Sequence, residues 1–307
     1  RPERVHDAVD TIYTAFIASI VPVTGLALLA VKPMLFLMRG DAAVYHDAWV
    51  YIIIVCAGIM GTIGYNLNAG ILNGIGNSRA TLLFLSVAAV LNIFLDFVLV
   101  LYAGLGVAGV ALGTIASQPV SWLLGLFYIN RRYPQVAIHP FCFRFDKTLF
   151  RQVMGLGIPT GLQMSLVSLG IMAVMSKVNT FGTAYTAAYN VGNKLDGMAF
   201  LPVQALTNSI TAFVGQNTGA KKPERVRAGV RIAVAYTVAW CLVMTAALLP
   251  VSESLFYLFS PEAAVAEAGK HYMWAIMPPY VTFGVMYVLN GAMRGAGDSV
   301  VPMLATI

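Results

Sequence analysis

The chain has 307 residues, of which 59% are hydrophobic and only 10% are charged, and its mean hydropathy is +0.77. Because soluble domains carry about 25% charged residues, this composition excludes an ordinary soluble protein. The apolar runs are also too long for the ~10-residue alternating strands of an outer-membrane barrel, and they match helices that cross a ~30 Å hydrocarbon core. The sequence therefore predicts an all-α, multi-pass membrane protein.

Eight membrane-spanning helices are predicted in succession, and a ninth begins near Ser299. The eight helices are predicted over residues 11–31, 49–72, 81–101, 107–129, 153–178, 197–214, 228–249 and 271–293. Prolines lie inside several of these runs, at Pro22, Pro119, Pro159, Pro202 and the pair Pro278 and Pro279. Because proline removes a backbone hydrogen bond and kinks a helix, so many interrupted spans favour a protein with moving parts.

Basic residues lie mainly on one side of the predicted membrane domain. When the loops are assigned alternately to the two sides, 14 of the 19 lysines and arginines fall on one side and five on the other. Cytoplasmic loops carry the excess of Lys and Arg, so the linker 130–152 and the loop 216–227 are predicted to be cytoplasmic. This distribution accounts for the net charge of +6 without a nucleic-acid partner. The richer side holds Arg1, Arg4, Arg79, Arg131, Arg132, Arg144, Lys147, Arg151, Lys221, Lys222, Arg225, Arg227, Arg231 and Arg294, and the poorer side holds Lys32, Arg39, Lys177, Lys194 and Lys270.

Neither the cysteines nor any enzyme motif in the sequence indicates a catalytic or metal centre. The three cysteines, Cys56, Cys142 and Cys241, are scattered along the chain, so neither a disulfide framework nor a CxxC metal site is predicted. The sequence contains no HExxH, GxSxG or P-loop motif, which leaves ATP-driven transport within this chain unsupported. We expect a protein that is not an enzyme.

An internal repeat relates two parts of the chain. At a fixed offset of 221 residues, "RPERV" at residue 1 aligns with "KPERV" at residue 222, and "NGIGNS" from Asn73 aligns with "RGAGDS" from Arg294. The ungapped alignment holds 18 identities over 86 positions, clustered in loops and at helix ends, where chance apolar matches are least frequent. Because the period holds an even number of helices, about six, the two halves are predicted to share one orientation in the membrane.

The repeat predicts two six-helix bundles, both truncated in this chain. An N-lobe without its first two helices covers residues 1–140, a cytoplasmic linker covers 141–152, and a C-lobe covers 153–307 and ends early in its fifth helix. The repeat also bears on "GAGD" at 295–298, which formally matches the GxGD of intramembrane aspartyl proteases. Because Asn77 stands where the second copy has Asp298, we expect a repeated helix-end turn instead of a catalytic motif.

One carboxylate lies deep in a predicted span. Asp96 stands in the apolar run 81–101, and Asn92 precedes it by four residues, on the same face of the helix. A charge at such a position costs about 2.5–3.5 kcal/mol on insertion scales, so by default it faces a partner or a cavity. Thr114 on the next helix is predicted to lie at the same depth, since both residues lie roughly 8–11 Å from the intervening turn.

A carboxylate, an amide oxygen and a hydroxyl form a hard-oxygen cluster that suits Na⁺ or a proton. The alternative is a structural aspartate that hydrogen-bonds two helices together. Function is favoured, because an amide alone would join the helices at lower cost. The sequence therefore predicts Asp96, Asn92 and Thr114 as ligands of a coupling cation or proton, and as metal ligands if the ion is Na⁺.

Other polar and methionine side chains within spans are candidates for an adaptable substrate cavity. Helix–helix hydrogen bonds and methionine packing explain each of them equally well. Lys194 and Asp196 precede the apolar run of their helix and are interpreted as a solvated or interfacial pair. The candidate cavity residues are Gln118, Gln163, Asn68, Asn190 and Met164.

Several segments, taken as an ordered set, resemble the multidrug and toxin extrusion (MATE) family. They are "LNIFLDFVLV" followed by "GLGVAGVALGT", then "GIPTGLQ", "VGQNTGAKKPERVRAG" and "NGAMRGAGDS". The likeness covers essentially the whole chain, from the family's third helix into its eleventh. It implies a monomeric transporter of the cytoplasmic (inner) cell membrane that exports bulky, often cationic organic compounds in exchange for Na⁺ or H⁺, without an organic cofactor.

The resemblance also implies roles for particular residues. In relatives, an asparagine and an aspartate on the fifth helix and a threonine on the sixth contribute to an N-lobe cation site, and Asn92, Asp96 and Thr114 match them. The acidic residues that some members carry on the seventh and tenth helices have no counterpart here, so coupling is expected to rest on the N-lobe. The alternative is a lipid or lipid-linked-oligosaccharide flippase of the same superfamily. Such flippases line the cavity with several basic residues, and only Lys194 is a candidate here.

Overall fold

The computed structural model describes residues 2–38, 42–139 and 144–306, and within these ranges the chain forms helices and turns without a strand. This confirms the all-α prediction. Predictions for Arg1, Arg39, Cys142 and residues 141–143 of the linker concern positions outside the described ranges. The α-helices in the described residues are α1 (Pro2–Met38), α2 (Ala42–Ala57), α3 (Ile59–Gly74), α4 (Ser78–Phe97), α5 (Gly106–Arg132), α6 (Lys147–Val178), α7 (Thr183–Gly219), α8 (Pro223–Leu248), α9 (Ser252–Tyr257), α10 (Ala263–Ile276), α11 (Tyr280–Ala296) and α12 (Val300–Thr306).

Most of these helices have the length and apolarity of membrane spans. Among the described residues, six helices qualify alone, and two bent pairs bring the number to eight if each pair crosses once. The predicted ninth span is represented by α12, whose described part has seven residues. A multi-pass membrane protein is confirmed by these spans.

Two predicted spans are broken at equivalent positions of the repeat. The helix predicted over 49–72 is divided into α2 and α3, which meet at 51° beside Gly58, and the one predicted over 271–293 is divided into α10 and α11, which meet at 55°. Pro278 and Pro279 cause the second break, because neither has an N–H to donate to the preceding turn. At the repeat offset of 221 residues, Gly58 corresponds to Pro279, so the two breaks lie at equivalent positions of the two copies.

The turns after these broken spans also coincide. Gly76 and Gly297 both have a positive φ, of 86° and 98°, which glycine adopts without steric cost. The next residue in each copy caps the following helix: Asn77 accepts from the N–H of Ala80 at 3.2 Å, and Asp298 accepts from the N–H of Val301 at 3.1 Å. The two turns therefore have the same local structure at equivalent positions of the repeat, and "GAGD" is a helix-end turn, as predicted.

By their internal contacts the described residues divide into two compact units, Arg1–Val153 and Met154–Ile307, with the boundary inside α6. In the first unit α5 is the central helix, and one of its faces consists of small residues that let α4 approach closely. Gly113 lies against Asp96 on α4, the Ser121 hydroxyl donates to the carbonyl of Phe84 on α4, and Gly109 lies against the backbone of Leu99, two residues after α4 ends. Tyr13, Leu72 and Ile129 fill the core between the helices of this unit.

In the second unit α7 is the central helix, and α8, α10 and α11 pack against it. The Thr211 hydroxyl donates to the carbonyl of Gly291 on α11 at 2.9 Å, and the indole of Trp240 on α8 donates to the carbonyl of Ala199 at 3.0 Å. Val203, Met273 and Val288 are fully buried between these helices. Hydrogen bonds to backbone carbonyls therefore fix α8 and α11 on α7.

The start of α7 differs from the prediction. The helix was predicted over 197–214, but α7 begins at Thr183 and is 37 residues long. Its polar N-terminal part is held by packing against α10, where Tyr189 and Tyr272 meet edge to face at 5.8 Å and Gly192 lies under the ring of Tyr272. Tertiary packing thus extends the helix well beyond its apolar run, because hydropathy does not report this contact.

Candidate functional site

Asp96 and Asn92 meet on α4. The Nδ2 amide of Asn92 donates to Oδ1 of Asp96 at 3.2 Å, and both side chains are partly buried. The spacing of four residues stacks the two side chains on one face of the helix. The carboxylate therefore has one neutral hydrogen-bond donor, and no ion pair involves it among the described residues.

Asp96 also contacts the small-residue face of α5. Its Oδ1 lies where a Cβ on Gly113 would stand, so only glycine at that position leaves room for the carboxylate. The lack of a side chain at Gly113 brings α4 and α5 together at this depth, and Gly109 lets α5 approach Leu99 in the segment that follows α4. The carboxylate lies at a tight helix–helix contact, so a change in its charge acts directly on that contact.

Thr114 follows Gly113 on α5 and is partly buried. Its hydroxyl donates to the carbonyl of Val110 at 3.0 Å, which leaves the lone pairs of Oγ1 to accept a hydrogen bond or to bind a cation. The structure thus brings Asn92 and Asp96 into contact with each other and brings Asp96 against the residue next to Thr114.

The three predicted residues carry a carboxylate, an amide and a hydroxyl, whose oxygens are the ligand types that Na⁺ shares with other hard cations. In this structure the amide turns its Nδ2 towards Asp96, so the Asn92 oxygen becomes a ligand only after the amide rotates. Among the described residues no group of three or more His, Cys, Asp or Glu side chains could hold a metal ion. A softer transition metal therefore has no carboxylate–imidazole or thiolate cluster to bind within the described part of the chain.

A π-helical turn follows directly after the Asp96 segment, a feature that sequence reasoning missed. Residues Val98–Tyr102 are wound with five-residue spacing, so the N–H of Ala103 donates to the carbonyl of Val98 at 3.1 Å. Such turns are rare and occur often at functional sites, because they locally change the winding of a helix. In the sequence the only indication is the glycine-containing segment "YAGLG" that ends the span.

The candidate cavity residues of the first unit have different surroundings. Asn68 is 2% exposed, its amide nitrogen donates to the carbonyl of Trp122 at 2.8 Å, and its oxygen accepts from the hydroxyl of Tyr13. Asn68 is therefore a core residue of the first unit, whereas the sequence predicted that it lines a substrate cavity. Gln118 lies one turn after Thr114, and its Oε1 is buried without a partner among the described residues. Gln118 is the better candidate for a functional polar group.

The candidate cavity residues of the second unit are also dissimilar. Gln163 is 8% exposed, and its Nε2 donates to Oγ1 of Thr306 at 2.7 Å, which joins α6 to α12. Met164 and Asn190 are exposed on their helices. Gln163 therefore has a structural partner, whereas Met164 and Asn190 are free to contact other molecules.

Asp196 and Lys194, predicted as an interfacial pair, lie inside α7 and are not among the ion pairs of the described residues. Lys194 is exposed. Asp196 is partly buried, and its Oδ1 has no hydrogen-bond partner within the described ranges, while the Tyr280 hydroxyl donates to its backbone carbonyl at 3.5 Å. The pair is therefore separated into one solvated cation and one half-buried carboxylate.

Comparison with known proteins gives the family. The model of the MatE family matches residues 1–98 and 159–307. A relative from Bacillus subtilis (strain 168), called "Probable multidrug resistance protein YpnP", is 30% identical over 264 residues, which are 86% of this chain and 59% of that protein. A second, "Probable multidrug resistance protein YoeA" from the same strain, is 28% identical over 77% of this chain and 52% of its own length. The chain thus spans somewhat more than half the length of these relatives.

Solved structures agree in fold. One is described as the outward-facing conformation of a multidrug resistance MATE family transporter, and it superimposes with a TM-score of 0.90 at 20% sequence identity. The superposition covers 100% of this chain and 70% of the chain in that structure. Another, a MATE in complex with MaD3S, has a TM-score of 0.88 at 20% identity, over 98% of this chain and 68% of that one. Because the family model matches residues 1–98 and 159–307, which are most of the sequence, the chain belongs to the MatE family.

Proposed function

We propose that this chain is part of a secondary antiporter of the cytoplasmic membrane that exports bulky, often cationic organic compounds in exchange for Na⁺ or H⁺. The observation that carries the proposal is the position of Asp96, hydrogen-bonded by Asn92 and packed against Gly113 at the contact of α4 and α5. The relatives named as probable multidrug resistance proteins support the substrate class.

Asp96 is the coupling carboxylate in this proposal. When it carries a proton or binds Na⁺, its negative charge is neutralised, and the cost of holding it between α4 and α5 falls. When it is ionised and empty, the same contact is less favourable. A ligand that stabilises one packing of these helices more than another shifts the conformational equilibrium by that difference in affinity. The π-helical turn after Phe97 offers a place where α4 changes its winding.

Asn92 orients the carboxylate through its Nδ2, and the side-chain oxygens of Asn92 and Thr114 would be neutral ligands of a bound cation. The exposed Lys194 is the only basic side chain among the candidates for a cavity, which favours an exporter of organic cations over a flippase with a basic cavity. Two further observations fit a protein that changes conformation, namely the breaks beside Gly58 and at Pro278 and Pro279.

Gradient-driven efflux in vesicles tests this proposal. The intact protein would be reconstituted in liposomes loaded with a cationic fluorescent dye, and a Na⁺ gradient and a pH gradient would be imposed separately. Efflux that follows one of the two gradients supports the antiporter and identifies the ion. Dye release that is the same with and without either gradient would contradict it.

A further inference from the structure

An apolar groove runs along the surface of the second unit between α7 and α8. It encloses about 550 Å³ and is open on one side, where Ile232 is 70% exposed and Tyr236 is 50% exposed. Its walls are apolar apart from one arginine and two hydroxyls. The residues that define it are Leu206 and Phe213 on α7 and Arg225, Ala228, Ile232 and Tyr236 on α8.

Arg225 lies at one end of this groove, within a cluster of positive charge. Lys221, Lys222, Arg225, Arg227 and Arg231 stand within eleven residues that contain a single acidic residue, Glu224. None of the five takes part in an ion pair within the described ranges. The groove therefore has an apolar body and an end at which positive charge is uncompensated.

The groove has the length of one membrane leaflet. Arg225 and Tyr236 are eleven residues apart on α8, which at 1.5 Å per residue is roughly 16 Å. Half of the ~30 Å hydrocarbon core is about the same length. An acyl chain lying along α8 from Arg225 to Tyr236 thus spans its leaflet and leaves its headgroup beside the basic cluster.

The repeat argues against a polypeptide segment as the occupant. At an offset of 221, Ile232 corresponds to Thr11 on α1, which is 1% exposed because the chain after α5 covers it, and its hydroxyl accepts from the N–H of Asp146 at 3.1 Å. On α1, Thr11 thus provides a hydrogen-bond acceptor for the polypeptide segment that covers it. The isoleucine on α8 has no such group, and it suits a hydrocarbon chain.

We propose that the groove between α7 and α8 is a binding site for an anionic phospholipid, with an acyl chain along Ile232 and Phe213 and the phosphate group at Arg225. Basic residues near the membrane surface attract anionic headgroups in this way. The groove belongs to the second unit, whereas Asp96 belongs to the first.

Native mass spectrometry of the intact protein in detergent tests this site. The protein would be titrated with dioleoyl phosphatidylglycerol and, separately, with dioleoyl phosphatidylcholine, which has the same chains and no net charge. We expect tighter binding of phosphatidylglycerol to the wild type. Arg225→Gln should weaken that binding about fivefold, the size expected for one basic residue at a membrane surface, and leave phosphatidylcholine unchanged.

Two further variants separate the charge from the groove. Ala228→Leu fills the groove from an exposed position and should weaken the binding of both lipids, whereas Arg151→Gln, an exposed arginine outside the groove, should change neither. Equal affinity of the wild type for the two lipids would overturn the proposal, as would unchanged phosphatidylglycerol binding in Arg225→Gln. A photoreactive group at position 232 that crosslinks to another segment of the protein would also overturn it.

Discussion

Asp96 on α4 and Gly113 on α5 are packed so closely that the carboxylate occupies the place of a side chain on the glycine. Gly113→Ala is therefore expected to push Asp96 aside or to separate the two helices, at a cost of about 1–3 kcal/mol. The variant should have a lower aggregation temperature in detergent and a weaker dependence of export on the driving ion.

Gly170→Ala on α6 is the matched control for this prediction. A Cβ at Gly170 meets no atom within 4 Å, so the substitution should leave export unchanged and stabilise the helix slightly. If Gly113→Ala showed the aggregation temperature and ion dependence of the wild type, the tight contact would have no functional consequence.

Two glycines at equivalent positions of the repeat should respond oppositely to the same substitution. A Cβ at Gly291 on α11 would lie 3.0 Å from the backbone oxygen of Thr207, while one at Gly70 on α3 meets nothing within 4 Å. We expect Gly291→Ala to lower the aggregation temperature and Gly70→Ala to leave it unchanged or raise it. Equal effects would mean that the second unit tolerates a wider separation of α7 and α11.

Asn68 should behave as a core residue of the first unit. Asn68→Ala removes the bonds to Tyr13 and to the carbonyl of Trp122, which leaves buried polar groups without partners at about 1–3 kcal/mol each. The matched control is Asn66→Ala, since the exposed amide of Asn66 donates only to the carbonyl of Thr62 on its own helix. After heating, fluorescence-detected size-exclusion chromatography should show a smaller peak of folded protein for Asn68→Ala and an unchanged peak for Asn66→Ala. A selective change in substrate preference without loss of stability would restore Asn68 to the cavity.

Hydropathy was sufficient to predict the number and order of the spans, but not where they bend. The pair Pro278 and Pro279 indicates a break in the second copy, whereas the first copy breaks at Gly58 without any proline. Only the repeat, with its offset of 221 residues, relates the break at Pro278 and Pro279 to the break at Gly58. The extension of α7 back to Thr183 depends on packing against Tyr272, a tertiary contact that no local pattern contains.

For the candidate site, the sequence predicts contacts within a helix better than contacts between helices. The four-residue spacing of Asn92 and Asp96 is sufficient to predict their hydrogen bond. Depth along α5 can be counted from the turn, but the rotation of α5 cannot, so the role of Gly113 was not foreseen. Asn68 and Gln118 are both amides within spans, and only the structure distinguishes the bonded one from the one with a free oxygen.

The topology predicted from the basic residues can be tested by labelling. In a variant whose three native cysteines are replaced, Lys221→Cys should react with a membrane-impermeant maleimide only after the cells are opened, and Lys177→Cys should react in intact cells. Both lysines are exposed, so access to the side chain does not limit either reaction. Reaction of position 221 in intact cells would invert the assignment.

Asp96→Asn separates a coupling role of the carboxylate from a structural one. The amide keeps the shape and hydrogen bonding of the carboxylate but removes its charge, so the intact variant should fold, insert and bind substrate. Asn92→Ala and Thr114→Ala should weaken ion-driven export less, because each removes a neutral ligand.

The decisive measurement is the rate of dye export by Asp96→Asn in liposomes under an imposed Na⁺ or pH gradient, compared with that of the wild type. If Asp96 is the coupling carboxylate, the variant still binds substrate but loses gradient-driven export. Export at the wild-type rate with an unchanged dependence on the gradient would contradict it and would leave Asp96 as a structural residue between α4 and α5.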